Sequence, residues 1–211
     1  MKRVRILSID GGGIRGIIPG MALAALEEIA GSPVHELFDL VAGTSTGGIL
    51  ALGLTCPATD RPGARYSAEE LVALYEDYGH AIFRRRGLRG VPGLDLLTDL
   101  FEEKYPADPI ETVLDDYFGD ARLRDALCDV VVPAYEIERR VPFFFKSRRA
   151  REDDDYDFPI RDVARATSAA PTYFEPHRIQ LDGDYYSLVD GGVFANNPTM
   201  CAVAEALAVA R

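Results

Sequence analysis

The spacing of apolar residues changes several times in the first quarter of the chain, and each change marks an element. Val4–Ile9 alternates with basic residues and then turns apolar, as a strand entering a sheet does, and Asp10-Gly11-Gly12-Gly13 ends it. Pro19 suits a first helical turn, and Met21–Ala30 carries Leu23, Leu26 and Ile29 near helical spacing until Gly31-Ser32-Pro33 stops it. Leu37–Ala42 is a short apolar run suited to a buried strand. Gly43–Gly48 turns sharply, and Ile49–Leu54 continues as a helix. Strand, helix, strand, helix is a βαβ opening and predicts an α/β sheet with parallel strands.

Further along, Ser67 with Glu70 three residues on forms a capping box for a helix running to about Arg85. Residues 87–107 are rich in Gly, Pro and charge, with a helical turn or two expected over Leu94–Phe101, and Ile110–Tyr117 reads as a short helix. Cys128–Tyr135 and Val141–Lys146 read as strands of a hairpin around Glu138-Arg139-Arg140, followed by a polar loop over 148–157. Ile160–Ala170 is expected to be helical up to Pro171, and Tyr185–Val189 to be a strand delivering Asp190-Gly191-Gly192. Asn196-Asn197-Pro198 offers a cap and a helix-start proline for Thr199–Ala210, which meets no stop signal. The expectation is a single domain over residues 1–211, truncated at its C-terminus.

Composition narrows the class. The chain has 211 residues, 47% of them hydrophobic, enough for one substantial core. A net charge of -11 argues against general nucleic-acid binding and against broad adsorption to an anionic bilayer. Two basic runs depart from this: Arg84, Arg85, Arg86 and Arg89, and the looser set Arg139, Arg140, Lys146, Arg148, Arg149 and Arg151. Each reads first as a solvated charged loop and second as a patch for lipid headgroups or a partner. Cys56, Cys128 and Cys201 show neither metal spacing nor a disulfide framework, which fits a cytoplasmic protein. No apolar stretch reaches the roughly 18–20 residues of a membrane span.

Three clusters carry candidate chemistry. Gly43-Thr44-Ser45-Thr46-Gly47 is a G-x-S-x-G between a buried strand and a helix, the setting of a nucleophile elbow that projects a serine toward solvent. Asp10-Gly11-Gly12-Gly13-Ile14-Arg15-Gly16 exposes backbone N–H groups that suit an anion, such as the oxyanion of a tetrahedral intermediate. Arg15 there adds positive charge or fixes the loop through a carboxylate. The same stretch matches the dinucleotide fingerprint at Gly11, Gly13 and Gly16, so a dinucleotide-binding module is the alternative reading. That fingerprint expects an acid at the end of the second strand, whereas Asp39 lies at its start. The third cluster, Asp190-Gly191-Gly192, allows backbone to pack closely around a carboxylate, although Asp-Gly is also a common turn.

A serine nucleophile needs a base. His35 and His80 read as surface or packing residues; His177 is the only histidine suited to a triad, but it precedes Asp190, against the serine–acid–histidine order of α/β-hydrolases. A direct Ser45–Asp190 pair reads better. An ordinary aspartate titrates near 3.9, so such a base requires desolvation, which the flanks Leu188-Val189 and Val193-Phe194 favour.

Asp10–Gly16, Gly43–Gly47 and Asp190–Gly192, together with Ala166–Phe174 (ATSAAPTYF), resemble in order and content the patatin-like phospholipases, relatives of the catalytic domain of cytosolic phospholipase A2. The resemblance implies a three-layer α/β/α sandwich with a central, mostly parallel sheet. It also implies a lipid acyl hydrolase acting through a Ser–Asp dyad without histidine, metal or cofactor. Carried over, Ser45 is the nucleophile and Asp190 the base, Gly12 and Gly13 supply oxyanion N–H groups, Gly11 permits the turn and Arg15 supports the charge. The implied partner is a lipid or phospholipid substrate met in transient contact with a membrane surface, with no nucleic acid involved.

Overall fold

A computed structural model describes residues 3–73, 75 and 108–209. Its elements are β1 (Ile6–Ile9), a 3-10 turn (Gly13–Gly16), α1 (Ile17–Ala30), α2 (Val34–Leu37), β2 (Leu40–Gly43), α3 (Thr46–Thr55), α4 (Asp108–Phe118), β3 (Asp129–Glu136), β4 (Val141–Lys146), α5 (Ser147–Glu152), α6 (Ile160–Thr167), β5 (His177–Leu181), β6 (Asp184–Asp190), α7 (Gly192–Ala195) and α8 (Thr199–Val209). Helical backbone over residues 68–73 follows the expected capping box. Ser67 N donates to Glu70 Oε2 at 2.8 Å, and Glu70 N donates to Ser67 Oγ at 3.2 Å. The expectations over Leu94–Phe101 and at Arg84–Arg89 and His80 lie outside the described residues.

The sheet order is β1-β2-β3-β6-β5, with β4 also paired to β3. β1, β2, β3 and β5 point one way and β4 and β6 the other, so the sheet is mostly parallel in strand direction. Period-2 alternation divides the buried side chains between its faces. Val41, Val130 and Val132 join the large core under α1, α3, α4 and α6, while Leu40, Ala42 and Val131 meet Ala202 of α8 on the other face. Both faces are covered, which is why β2 reads as an unbroken apolar run. Helices on either side of one sheet make the three-layer α/β/α sandwich.

The pairing of β3 positions the candidate site. β4 occupies one of its edges over Val131–Glu136, so β2, registered with residues 129–131, and β6, registered with 134–136, must share the other. They approach from opposite ends, and their C-termini meet head to head at Pro133. The Pro133 carbonyl faces this gap, where it accepts from Thr167 Oγ1 at 2.7 Å. Its ring nitrogen points to the same side, so the missing N–H breaks no ladder bond.

Two expectations fail. The polar loop over 148–157 is instead α5 plus a 3-10 turn, Asp154–Tyr156. Arg148–Glu152 and Arg149–Asp153 pair at i,i+4, Ala150 is fully buried, and Arg151 reaches Asp129 at 2.7 Å. The looser basic run is thereby largely neutralised within the fold: Lys146 pairs with Glu205 at 2.6 Å and Arg139 with Asp184 at 3.2 Å. The helix expected over Ile160–Ala170 stops at Thr167, where Ser168 Oγ bonds back to Ala164 O at 2.7 Å.

Candidate active site

The nucleophile candidate sits where β2 hands over to α3. Ser45 has φ 55 and ψ -124, a conformation that costs a non-glycine residue about 1–3 kcal/mol. Local hydrogen bonds over-determine it: Thr44 N donates to Ile9 O at 3.2 Å, Gly47 N to Thr44 O at 2.8 Å, and Gly48 N to Ser45 O at 2.8 Å. The glycines of the motif supply room rather than unusual dihedrals. A Cβ on Gly43 would lie 2.0 Å from Gly47 O, and one on Gly47 would lie 2.3 Å from Ile9 O.

Asp190 arrives from the other side of the gap as the last residue of β6, registered with Ala134. Its carboxylate is hydrogen-bonded to the Ser45 hydroxyl and accepts from Gly192 N at 2.7 Å. Asp190 is only 6% exposed. Burial pushes its pKa above the ordinary carboxylate value, and the hydrogen bonds from Ser45 and Gly192 oppose that shift in part.

The glycine loop after β1 closes the site. Gly11 N donates to Asn196 O at 3.0 Å, so that amide is committed. Gly12 and Gly13 open the 3-10 turn, where the first N–H groups have no intrahelical acceptor. Arg15 fastens the loop through the Gly12 carbonyl, Nε to O at 3.3 Å, rather than through a carboxylate as one expectation had it. Ser45, Asp190, Gly12, Gly13, Arg15 and Gly192 all line one cavity of about 560 Å³. Ile49, Ile110, Val113, Leu114 and Phe174 give it a largely apolar wall. Gly16, Gly43, Gly47, Gly191 and Gly11 stand behind this lining and shape the backbone.

His177 is not part of this arrangement. It opens β5, registered with Leu188, and its Nε2 lies 3.3 Å from Asp162 Oδ1, away from the cavity of Ser45. Asp39, which a dinucleotide site would need at the far end of β2, precedes that strand and is held by Arg5, with Arg5 N to Oδ2 at 2.7 Å.

Several residues here were not singled out from the sequence. Asn196 and Asn197, read only as a helix cap, also tie the glycine loop down, with Asn197 Nδ2 donating to Asp10 Oδ1 at 2.8 Å. Tyr75 lines the cavity and exchanges hydrogen bonds with Thr46, accepting from Oγ1 at 2.7 Å and donating to the carbonyl at 3.0 Å. Thr167 Oγ1 accepts from Ser45 N at 3.0 Å. The Asn-Asn-Pro and Ala-Thr-Ser-Ala-Ala-Pro segments stand out in the sequence, but these bonds span 122 or more positions and leave no local signal.

A family model described as patatin-like phospholipase matches residues 7–203. Patatin-like protein 3 of Arabidopsis thaliana is 36% identical over 222 residues, covering 96% of this chain and 51% of its own length. Patatin-like protein 2 of Oryza sativa subsp. indica is 37% identical over 219 residues, covering 97% of this chain and 53% of its own. The chain therefore spans about half the length of these curated relatives. Among solved structures, VipD from Legionella pneumophila aligns with a TM-score of 0.43 at 15% identity, covering 91% of this chain and 46% of that one.

Proposed function

The chain belongs to the patatin-like phospholipase family, and on that premise we propose that it is a serine-dependent lipid acyl hydrolase. The observation that carries this reading is the Ser45 hydroxyl, raised on a strained turn and hydrogen-bonded to a buried carboxylate at the wall of an apolar cavity. Ser45 Oγ attacks the ester carbonyl carbon while Asp190 takes its proton. The Gly12 and Gly13 amides hold the oxyanion. Collapse breaks the C–O bond to the alcohol, which leaves with the proton from Asp190, and the acyl group stays on Ser45. Water then attacks the acyl-enzyme, again giving its proton to Asp190, and the free fatty acid departs as Ser45 is restored. No step of this scheme calls for a metal or a cofactor.

The cavity supports a lipid substrate. Its apolar wall suits an acyl chain, and Ile14, Tyr173 and Val193 stand at least 40% exposed along its lining, suited to transient contact with a lipid surface. Three unbridged cysteines fit work in the cytoplasm. No described helix is long and apolar enough to cross a membrane.

The test is hydrolysis of a soluble nitrophenyl ester and of phospholipid vesicles by the wild type and by Ser45→Ala, with a fluorophosphonate probe mapped by mass spectrometry. We expect the label on Ser45 and a loss of rate on the order of 10⁴-fold or more in Ser45→Ala. A wild-type rate in that variant would refute the scheme.

A further inference from the structure

We infer that Thr167 is a positioning residue whose hydroxyl, together with the backbone of Ala169, sets the spacing between Ser45 and Asp190. This inference rests on the reading of those two residues as nucleophile and base.

The geometry of the gap in the sheet leads to it. Ser45 follows β2 and Asp190 ends β6, and no ladder hydrogen bond joins these two strands, since each pairs with β3 and not with the other. Their separation therefore has to be fixed by something spanning the interval around Pro133. The C-terminal turn of α6 does this at three points. Thr167 Oγ1 donates to Pro133 O at 2.7 Å, which commits its single hydrogen. Its lone pairs are then available to Ser45 N, which donates to it at 3.0 Å. Two residues on, Ala169 O accepts from Asp190 N at 2.9 Å. One short segment thus grips the backbone amides of both residues and the strand between them.

Burial makes the grip specific. Thr167 and Ala169 are fully buried, so water cannot replace a lost hydroxyl, and its removal leaves the Ser45 amide without a partner. That amide belongs to a residue already held at φ 55, so relaxation of the turn is the expected response. Threonine suits the position because the Cγ2 methyl packs where a Cβ on Gly48 would otherwise fall, 2.8 Å away, while the hydroxyl points into the gap.

Thr167→Val keeps the shape and removes the hydroxyl; Thr167→Ser keeps the hydroxyl and removes the methyl. With a soluble nitrophenyl ester we expect Thr167→Val to lower kcat by about 10- to 100-fold with KM changed less than about twofold, and Thr167→Ser to stay within about threefold of wild type. The pH profile gives a second readout. A loosened Ser45–Asp190 hydrogen bond no longer favours the ionised carboxylate, so the acid limb of kcat moves to higher pH in Thr167→Val. A purely structural residue would change the amount of folded protein, read by thermal melting, and leave both the limb and the kcat of the folded fraction in place. Should Thr167→Val not fold, Thr167→Ala is read by the same criteria. The inference is overturned if a folded hydroxyl-free variant keeps wild-type kcat and pH profile, or if folded Thr167→Ser loses as much kcat as Thr167→Val. Failure of the underlying reading looks different: Ser45→Ala would then be as active as wild type.

Discussion

At the scale of single residues, the decisive quantity is the cost of keeping Asp190 ionised in a dry site. Its pKa lies above the ordinary carboxylate value because burial outweighs its two hydrogen bonds. On the proposed mechanism this places the acid limb of kcat/KM on a non-ionising ester above the usual carboxylate range, since a protonated Asp190 could not accept the Ser45 proton. For stability the sign is opposite to that of a salt-bridged aspartate. A raised folded-state pKa means the native state binds this proton more tightly than the unfolded chain. The contribution of Asp190 is therefore most favourable below its unfolded pKa and is lost as pH rises through the raised folded value. Asp190→Asn carries no such penalty. We expect it to abolish hydrolysis while raising Tm at neutral pH, with the advantage over wild type vanishing in acid. Melting curves of the two proteins across pH measure this, and an unchanged Tm difference at every pH would contradict it. The glycines of the elbow give a steric counterpart. Gly47→Ala brings a methyl to within 2.3 Å of a backbone oxygen of β1, and the expected outcome is loss of the folded site and of fluorophosphonate labelling.

At the scale of elements, the supports far from the cavity should affect stability without touching rate. Asp157 is a buried carboxylate that draws Arg122 and Arg124 together, with Nε to Oδ2 distances of 2.5 and 2.6 Å, and it pins the segment before β3 to the start of α6. Asp157→Ala should cost about 2 kcal/mol in chemical denaturation, because both guanidinium groups are partly exposed and can turn to water. The kcat of the folded fraction should stay at the wild-type value. Legibility in the sequence divides along the same line. β1, β2, α1, α3 and the capping box at Ser67 were readable because caps, breakers and apolar period act within a few residues. Composition alone presents the 148–157 segment as a polar loop, because its helix is stabilised by i,i+4 ion pairs and by Arg151 reaching Asp129. The β5–β6 hairpin was only half read. Its signal was present as Asp182-Gly183, both at positive φ (53 and 81) as a tight two-residue turn requires, but charged and aromatic residues on its flanks obscured the strand before it. Within the site, Ser45, Asp190 and the glycine loop could be found as motifs. Thr167, Tyr75 and the Asn196–Gly11 contact could not, because they act through bonds between distant segments.

At the scale of the whole molecule, the proposed function requires a chain of net charge -11 to approach lipid in an orientation that limits repulsion. The cavity offers one. Apart from Asp190, buried in its wall, Arg15 is the only charged residue among the described residues of its lining, and exposed Ile14 belongs to that lining as well. Ile18 and Met21 follow at spacings of four and three along α1, 67% and 60% exposed, so the apolar ridge runs on from the cavity lining. Neither side chain lines the cavity of Ser45, so changing them separates surface contact from chemistry. Ile18→Glu combined with Met21→Glu replaces apolar area with two like charges on a protein that is already acidic. We expect co-sedimentation with phosphatidylcholine vesicles and hydrolysis of vesicle lipid to fall by about tenfold, the loss expected if these side chains insert only in part, since full burial of a large aliphatic side chain contributes about 1.5–3 kcal/mol. Hydrolysis of a soluble ester should remain within about twofold of wild type, because no group that touches the reacting atoms has changed. Equal losses on both substrates would mean that α1 supports the site itself. Unchanged vesicle hydrolysis would mean that the molecule meets lipid through a different face.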